Sequence, residues 1–132
     1  MKVLYVSKAM VVAAYRSKLR CLAEQVTLHA VIPSRWPPKG VEPVGADEPW
    51  LKPQPVLFAG KPHLYLYPRL GRTLDTFRPD LVHLDEEPYS AVTSHALYAC
   101  RRRGVPAVLF AAQNLYKHLP PPFNALRRYA LE

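Results

Sequence analysis

The chain has 132 residues, 49% of them hydrophobic, which suits one domain with a proper core and excludes a disordered segment. Eighteen basic against ten acidic residues leave a net charge of +8, which favours anionic partners without choosing among phosphate, nucleic acid and membrane surface. No apolar run approaches the roughly 18 residues of a spanning helix, and Cys21 and Cys100 lack any CxxC or metal-ligand spacing, so both read as buried thiols of a reducing cytoplasm.

The start, Met1 to Val6, is too short for a signal peptide and has no small-residue cleavage site. Lys2 to Ser7 therefore reads as a first strand, continuously apolar as a central parallel strand should be. After a loop through Lys8-Ala9-Met10, the spacing of Tyr15, Leu19, Leu22 and Val26 predicts a helix. Val26 to Ile32 is the second strand, stopped by Pro33. From Pro33 to Pro55 the chain spends seven of its fifteen prolines, so this segment is expected to be a long excursion with polyproline character. Pro55 to Ala59 and His63 to Tyr67 are both strand-like, with a turn at Gly60-Lys61-Pro62 between them.

Arg69 to Phe77 is a short helix before Arg78-Pro79. Leu81 to Leu84 is apolar and stops at Asp85-Glu86-Glu87. A helix is expected from about Pro88 to Arg103, with an apolar stripe of Tyr89, Val92, Ala96 and Cys100 and with Gly104 as its C-terminal cap. Ala107 to Ala112 is a further apolar run ending in Gln113-Asn114, and Pro120-Pro121-Pro122 opens an amphipathic segment from Phe123 to Leu131. Two apolar strands joined through a helix make a βαβ unit and force parallel pairing. The expected fold is thus α/β, a Rossmann-like parallel sheet with helices on both faces, whose carboxyl edge is where ligands sit. The last amphipathic segment breaks off mid-pattern, the mark of a chain that is part of something longer.

Several segments together resemble a known family. They are Lys2-Val3-Leu4-Tyr5-Val6-Ser7-Lys8, Gly60-Lys61-Pro62-His63-Leu64-Tyr65-Leu66-Tyr67-Pro68, and Arg78-Pro79-Asp80 through Asp85-Glu86-Glu87-Pro88-Tyr89-Ser90. Gln113-Asn114 followed by Pro120-Pro121-Pro122-Phe123 completes the set. The chain resembles the N-terminal half of a family 4 glycosyltransferase, one of the two Rossmann-like domains of the GT-B architecture.

That resemblance implies an acceptor-binding domain of a retaining, metal-free enzyme that moves a sugar from a nucleotide-sugar to an acceptor hydroxyl. The donor would be bound mainly by a C-terminal domain that is absent here, or by a second chain supplying it. It also implies a sugar or lipid-linked acceptor and no turnover by this fragment alone. The expected location is cytoplasmic, either free or peripheral at the inner membrane face. Two departures stand out. The first strand–helix loop lacks the family's Gly-Gly pair, and Gln113 replaces the His of many relatives; an amide does not titrate but still hydrogen-bonds.

The candidate acceptor-binding residues are Lys8, Glu86, Glu87, Gln113, Asn114 and His63. Glu86 and Glu87 either accept hydrogen bonds from sugar hydroxyls or complement the positive end of the next helix, and Asp85 orients the loop. Gln113 and Asn114 suit a neutral polyol, or else mark a turn. Lys8 meets a phosphate or stays solvated, and His63 contacts the acceptor from a strand start. His83 reads as a satisfied core histidine. Tyr65, Tyr67 and Trp36 either stack on sugar rings or pack. Arg101-Arg102-Arg103 reads as helix capping. No catalytic residue, cofactor motif or metal motif emerges. The rival reading is a non-catalytic, flavodoxin-like or receiver-like module for an anionic ligand or protein partner. Nucleic acid is excluded for want of a binding motif, and the basic surface with the Pro33 to Pro55 excursion is the expected anionic membrane contact.

Overall fold

A computed structural model describes residues 1–36, 48–111 and 120–131. Five strands form one sheet: β1 (Lys2–Val6), β2 (Thr27–Pro33), β3 (Leu51–Gln54), β4 (Leu81–Asp85) and β5 (Ala107–Phe110). Their order is β3-β2-β1-β4-β5, and every pairing is parallel. The chain folds as a Rossmann-like α/β layer. Four helices accompany the sheet: α1 (Ser17–Ala23), α2 (Leu70–Phe77), α3 (Ala91–Arg103) and α4 (Pro121–Leu131). Two 3-10 turns, Ala9–Val11 and Ala13–Arg16, lead from β1 into α1.

Strand β1 is central, and its alternation divides the core. Leu4 and Val6 point into one layer with Val82, Leu84, Tyr65, Tyr67, Leu74 and the inner face of α3. Val3 and Tyr5 point into the other with Met10, Leu19, Leu28, Ile32 and Leu51. A run apolar at every position is what a strand covered on both faces requires. The strand order reverses direction at β1, since β2 lies on one side and β4 on the other. The carboxyl ends of β1 and β4 therefore flank the switch point at which such sheets open a crevice.

Helix α3 starts later than its sequence pattern predicts because Ser90 stays extended and Thr93 Oγ1 reaches back to the Glu87 carbonyl at 2.7 Å. It ends at Gly104, φ 66, a left-handed cap that glycine adopts without strain. Two of the three arginines before it tie helices together, while Arg102 reaches Tyr98 within α3. Arg103 grips Asp75 of α2 through Nε at 2.7 Å and Nη2 at 3.1 Å, and Arg101 lies 4.5 Å from the Tyr129 ring of α4.

Four expectations need correction. The proline-rich excursion ends in a strand: β3 includes Pro53, opposite Ile32. Within a strand, an edge position admits proline, since its outer side needs no donor, whereas in the interior strand β2 proline stands only at the last residue, Pro33. Pro55 to Ala59 and His63 to Tyr67 do not join the sheet. They form a closed loop with a single antiparallel bridge, Leu57 to Leu66. Tyr65 and Tyr67 alternate inward like strand residues, but they lie over the sheet rather than in it, so packing imitates a strand's period of two. Helix α1 is shorter than expected; Tyr15 precedes it and is exposed, and Val26 falls beyond its end. Cys21 is exposed where a buried thiol is expected, because Leu19 faces inward and a residue two places on lies across the helix. Cys100 is buried, which pushes its thiol up to about 11.

Candidate functional site

Beyond the ends of β1 and β4, strand parity decides where each polar group goes. Tyr5, Ser7 and Asp85 share one face of the sheet. Tyr5 donates its hydroxyl hydrogen to Asp85 Oδ2 at 2.9 Å, and Ser7 Oγ donates to the same oxygen at 3.2 Å. Glu86, one residue further, turns to the opposite face. There Lys8 donates its backbone N–H to Oε1 at 2.8 Å and its Nζ to Oε2 at 2.7 Å, and the Tyr65 hydroxyl also donates to Oε1.

The two faces differ in kind. The Glu86 side chain is 0% exposed, and its Lys8 partner 24%. Burial pushes the Glu86 carboxyl above its ordinary range, with Lys8 and Tyr65 pulling the other way. Burial, the nearby Tyr67 ring and Glu86 hold the Tyr65 phenol well above its ordinary value. Its buried neighbour Tyr67 packs edge-on at 5.5 Å. This cluster is a clamp. It fastens the loop after β1 to the 57–66 loop and holds the Glu86 side chain out of solvent.

The Asp85 face is open. A cleft of about 370 Å³ lies between the end of β4 and the two 3-10 turns, walled by Met10, Ala14, Tyr15, Ser17, Lys18 and Asp85. Lys18 Nζ stands 3.6 Å from Asp85 Oδ2 and 5.6 Å from the Tyr5 ring. Beneath it, His83 stacks on Tyr5 with centroids 4.7 Å apart, and burial lowers the His83 pKa, so the imidazole stays neutral near pH 7. Burial first, then Asp85, raises the Tyr5 phenol far above its ordinary value, so it remains a donor to Asp85. Tyr15 offers a mostly exposed ring as one wall.

Arg16 holds that wall. Its side chain is almost fully buried, with Nε donating to the Met10 carbonyl at 2.7 Å and Nη2 to the Val11 carbonyl at 3.1 Å. Replacing Arg16 with methionine keeps most of the volume but orphans both carbonyls. We expect a loss of about 2 kcal/mol, readable in a urea titration, with slack in the Ala9–Val11 turn visible as faster amide exchange.

Of the residues expected to bind an acceptor, the structure brings Lys8 and Glu86 together, in a closed pair rather than on an open rim. Glu87 is half-buried, with Oε2 lacking a hydrogen-bond partner among the described residues, while its carbonyl closes the turn into α3. His63 stands on the same face as Glu86: its carbonyl accepts from Ala91 N at 3.0 Å, and its ring meets Tyr89 at 4.9 Å. Gln113 and Asn114 lie outside the described residues. Sequence reasoning missed Lys18 and Tyr15 and read Asp85 as a loop support. Parity along Leu84-Asp85-Glu86 was the available signal, since it sends adjacent carboxylates to opposite faces.

Among the described residues no group of three or more His, Cys, Asp or Glu could hold a metal ion, and no helix is long and apolar enough to cross a membrane. No known protein family, curated protein or solved structure matches this chain.

Proposed function

We propose that the chain is the acceptor-binding half of a retaining glycosyltransferase of GT-B architecture, working in the cytoplasm. A second Rossmann-like domain, on the same or another chain, would bind the nucleotide-sugar donor. The observation that carries this reading is the cleft at the switch point. It combines a carboxylate, an ammonium group, a hydroxyl and an aromatic wall in a space that suits one sugar ring. Asp85 accepts from a sugar hydroxyl, Lys18 and Ser17 donate, and the Tyr15 ring faces the apolar side of the pyranose.

A free anion is the poorer occupant, which weakens the binding-module alternative. Lys8 is committed to Glu86, and Lys18 is already balanced by Asp85.

Saturation-transfer NMR on the purified chain, with a panel of methyl glycosides and with inorganic phosphate, tests the assignment. The expected result is saturation of sugar ring protons by at least one glycoside, no competition by phosphate, and no turnover of any nucleotide-sugar. Phosphate binding without glycoside binding would sink the acceptor reading and favour the anion module.

A further inference from the structure

The loop after β3 keeps three large apolar side chains in water. Leu57, Phe58 and Leu64 are 50%, 57% and 45% exposed. The loop is nevertheless tightly built. Leu57 and Leu66 exchange both backbone hydrogen bonds at 2.9 and 3.2 Å, Lys61 N donates to the Phe58 carbonyl at 3.1 Å, and Leu64 N donates to the Lys61 carbonyl at 3.0 Å. Its base is rooted in the core through Tyr65 and Tyr67, both 0% exposed. These side chains are held out by construction, not by fraying.

Phe58 adopts φ 60, a left-handed conformation that a bulky side chain enters only against strain. Such strain persists where the surroundings impose it, and it gathers at binding segments. Here its effect is to project the ring from the loop tip.

Charge indicates what the tip meets. Between Leu51 and Leu74 the chain carries Lys52, Lys61, Arg69 and Arg72 and no acidic residue. Lys61 Nζ lies 6.0 Å from the Phe58 ring centroid, so a cation sits beside the apolar tip itself. An apolar projection with a cation at its tip, on a chain of net charge +8, is complementary to an anionic bilayer surface. The rings and methyl groups enter the acyl boundary while the ammonium and guanidinium groups stay among the headgroups. A purely apolar protein groove would have no use for the Lys61 ammonium beside the ring.

We propose that residues 57–64 form a docking loop for an anionic lipid bilayer. This rests on geometry separate from the Asp85 cleft. The base of the loop reaches the ligand edge through the Tyr65–Glu86 hydrogen bond and the His63–Ala91 backbone contact. Docking would therefore bring the edge of the sheet beside the lipid surface.

Vesicle flotation of the full chain tests it, with phosphatidylglycerol-containing vesicles against pure phosphatidylcholine, at low and high salt. Binding to the anionic vesicles only, weakened by salt, is the expected result. Phe58→Gly should cut partitioning about tenfold. Its melting temperature should hold, because glycine accepts a positive φ freely. Lys61→Glu should cut partitioning by about an order of magnitude or more. Equal binding to neutral vesicles, no binding, or an unaffected Phe58→Gly variant would each overturn the proposal. A dimer in the wild-type protein that Phe58→Gly dissociates would assign the loop to a second copy instead. Glycoside binding without vesicles reads the cleft independently, so either assignment can fail alone.

Discussion

Replacing Glu86 with alanine is expected to lower the unfolding free energy by about 3 kcal/mol, roughly 10 °C in melting temperature. The carboxylate collects the Lys8 backbone N–H, the Lys8 ammonium and the Tyr65 hydroxyl. Alanine leaves all three without their acceptor and leaves a void among buried groups. The ammonium is partly exposed and can turn to water, which keeps the loss at the lower end for a broken buried pair. The Tyr65 hydroxyl has no such escape, since the residue is fully buried. Glutamine, a neutral isostere, should cost only about 1 kcal/mol, because it keeps an acceptor while shedding the charge that burial penalises.

The pH dependence distinguishes these variants further. Burial raises the Glu86 carboxyl in the folded state, so the native protein holds that proton more tightly than the unfolded chain does. Its contribution to stability is fully present below the ordinary carboxylate range and is lost as pH rises through the raised folded value. Unfolding free energies measured across that window should therefore fall with pH in the wild-type protein. Glu86→Gln should show a flatter profile. A wild-type profile that rises with pH in parallel with that of Glu86→Gln would show that Glu86 is not the titrating group.

Much of the fold was legible because local signals and the global layout agree. Strands β1, β2 and β4 are mostly apolar, broken only by His29 and His83 in their interiors, Gly104 marks the end of α3, and Arg78-Pro79 follows α2. What failed were the places where a pattern had two physical causes. Prolines excluded a central strand but not an edge strand, so β3 was hidden inside the excursion. Tyr65 and Tyr67 alternate as a strand would, although their burial comes from lying over the sheet. The candidate site was half legible for a related reason. Position on the carboxyl edge can be read from the chain, but the direction of a side chain past the last paired residue depends on parity and on what awaits it. Lys8 and Glu86 found each other across 78 residues, and no local pattern announces such a pair.

Asp85→Ala is expected to weaken glycoside binding about a hundredfold, and Asp85→Asn about tenfold, as measured by calorimetry or by ligand-observed NMR. Among the described residues Asp85 is the one carboxylate walling the cleft, and a hydrogen bond from a sugar hydroxyl to a charged oxygen is stronger than one to an amide. The same oxygen also receives Tyr5 and Ser7, so loss of binding has to be separated from loss of structure. Tyr5→Phe makes that separation. It deletes the phenol donor, keeps the carboxylate and the stacking surface for His83, and should cost about 1 kcal/mol of stability. With one internal donor fewer, Asp85 has more capacity for ligand, so affinity in Tyr5→Phe should match or exceed wild type. Should Tyr5→Phe lose affinity in step with Asp85→Asn, Asp85 would be a scaffold for the cleft wall and not a group that touches the sugar. Lys18→Met completes the comparison. It should lower affinity several-fold without the stability change, since the Lys18 side chain is mostly in solvent and its ion pair with Asp85 contributes little to folding.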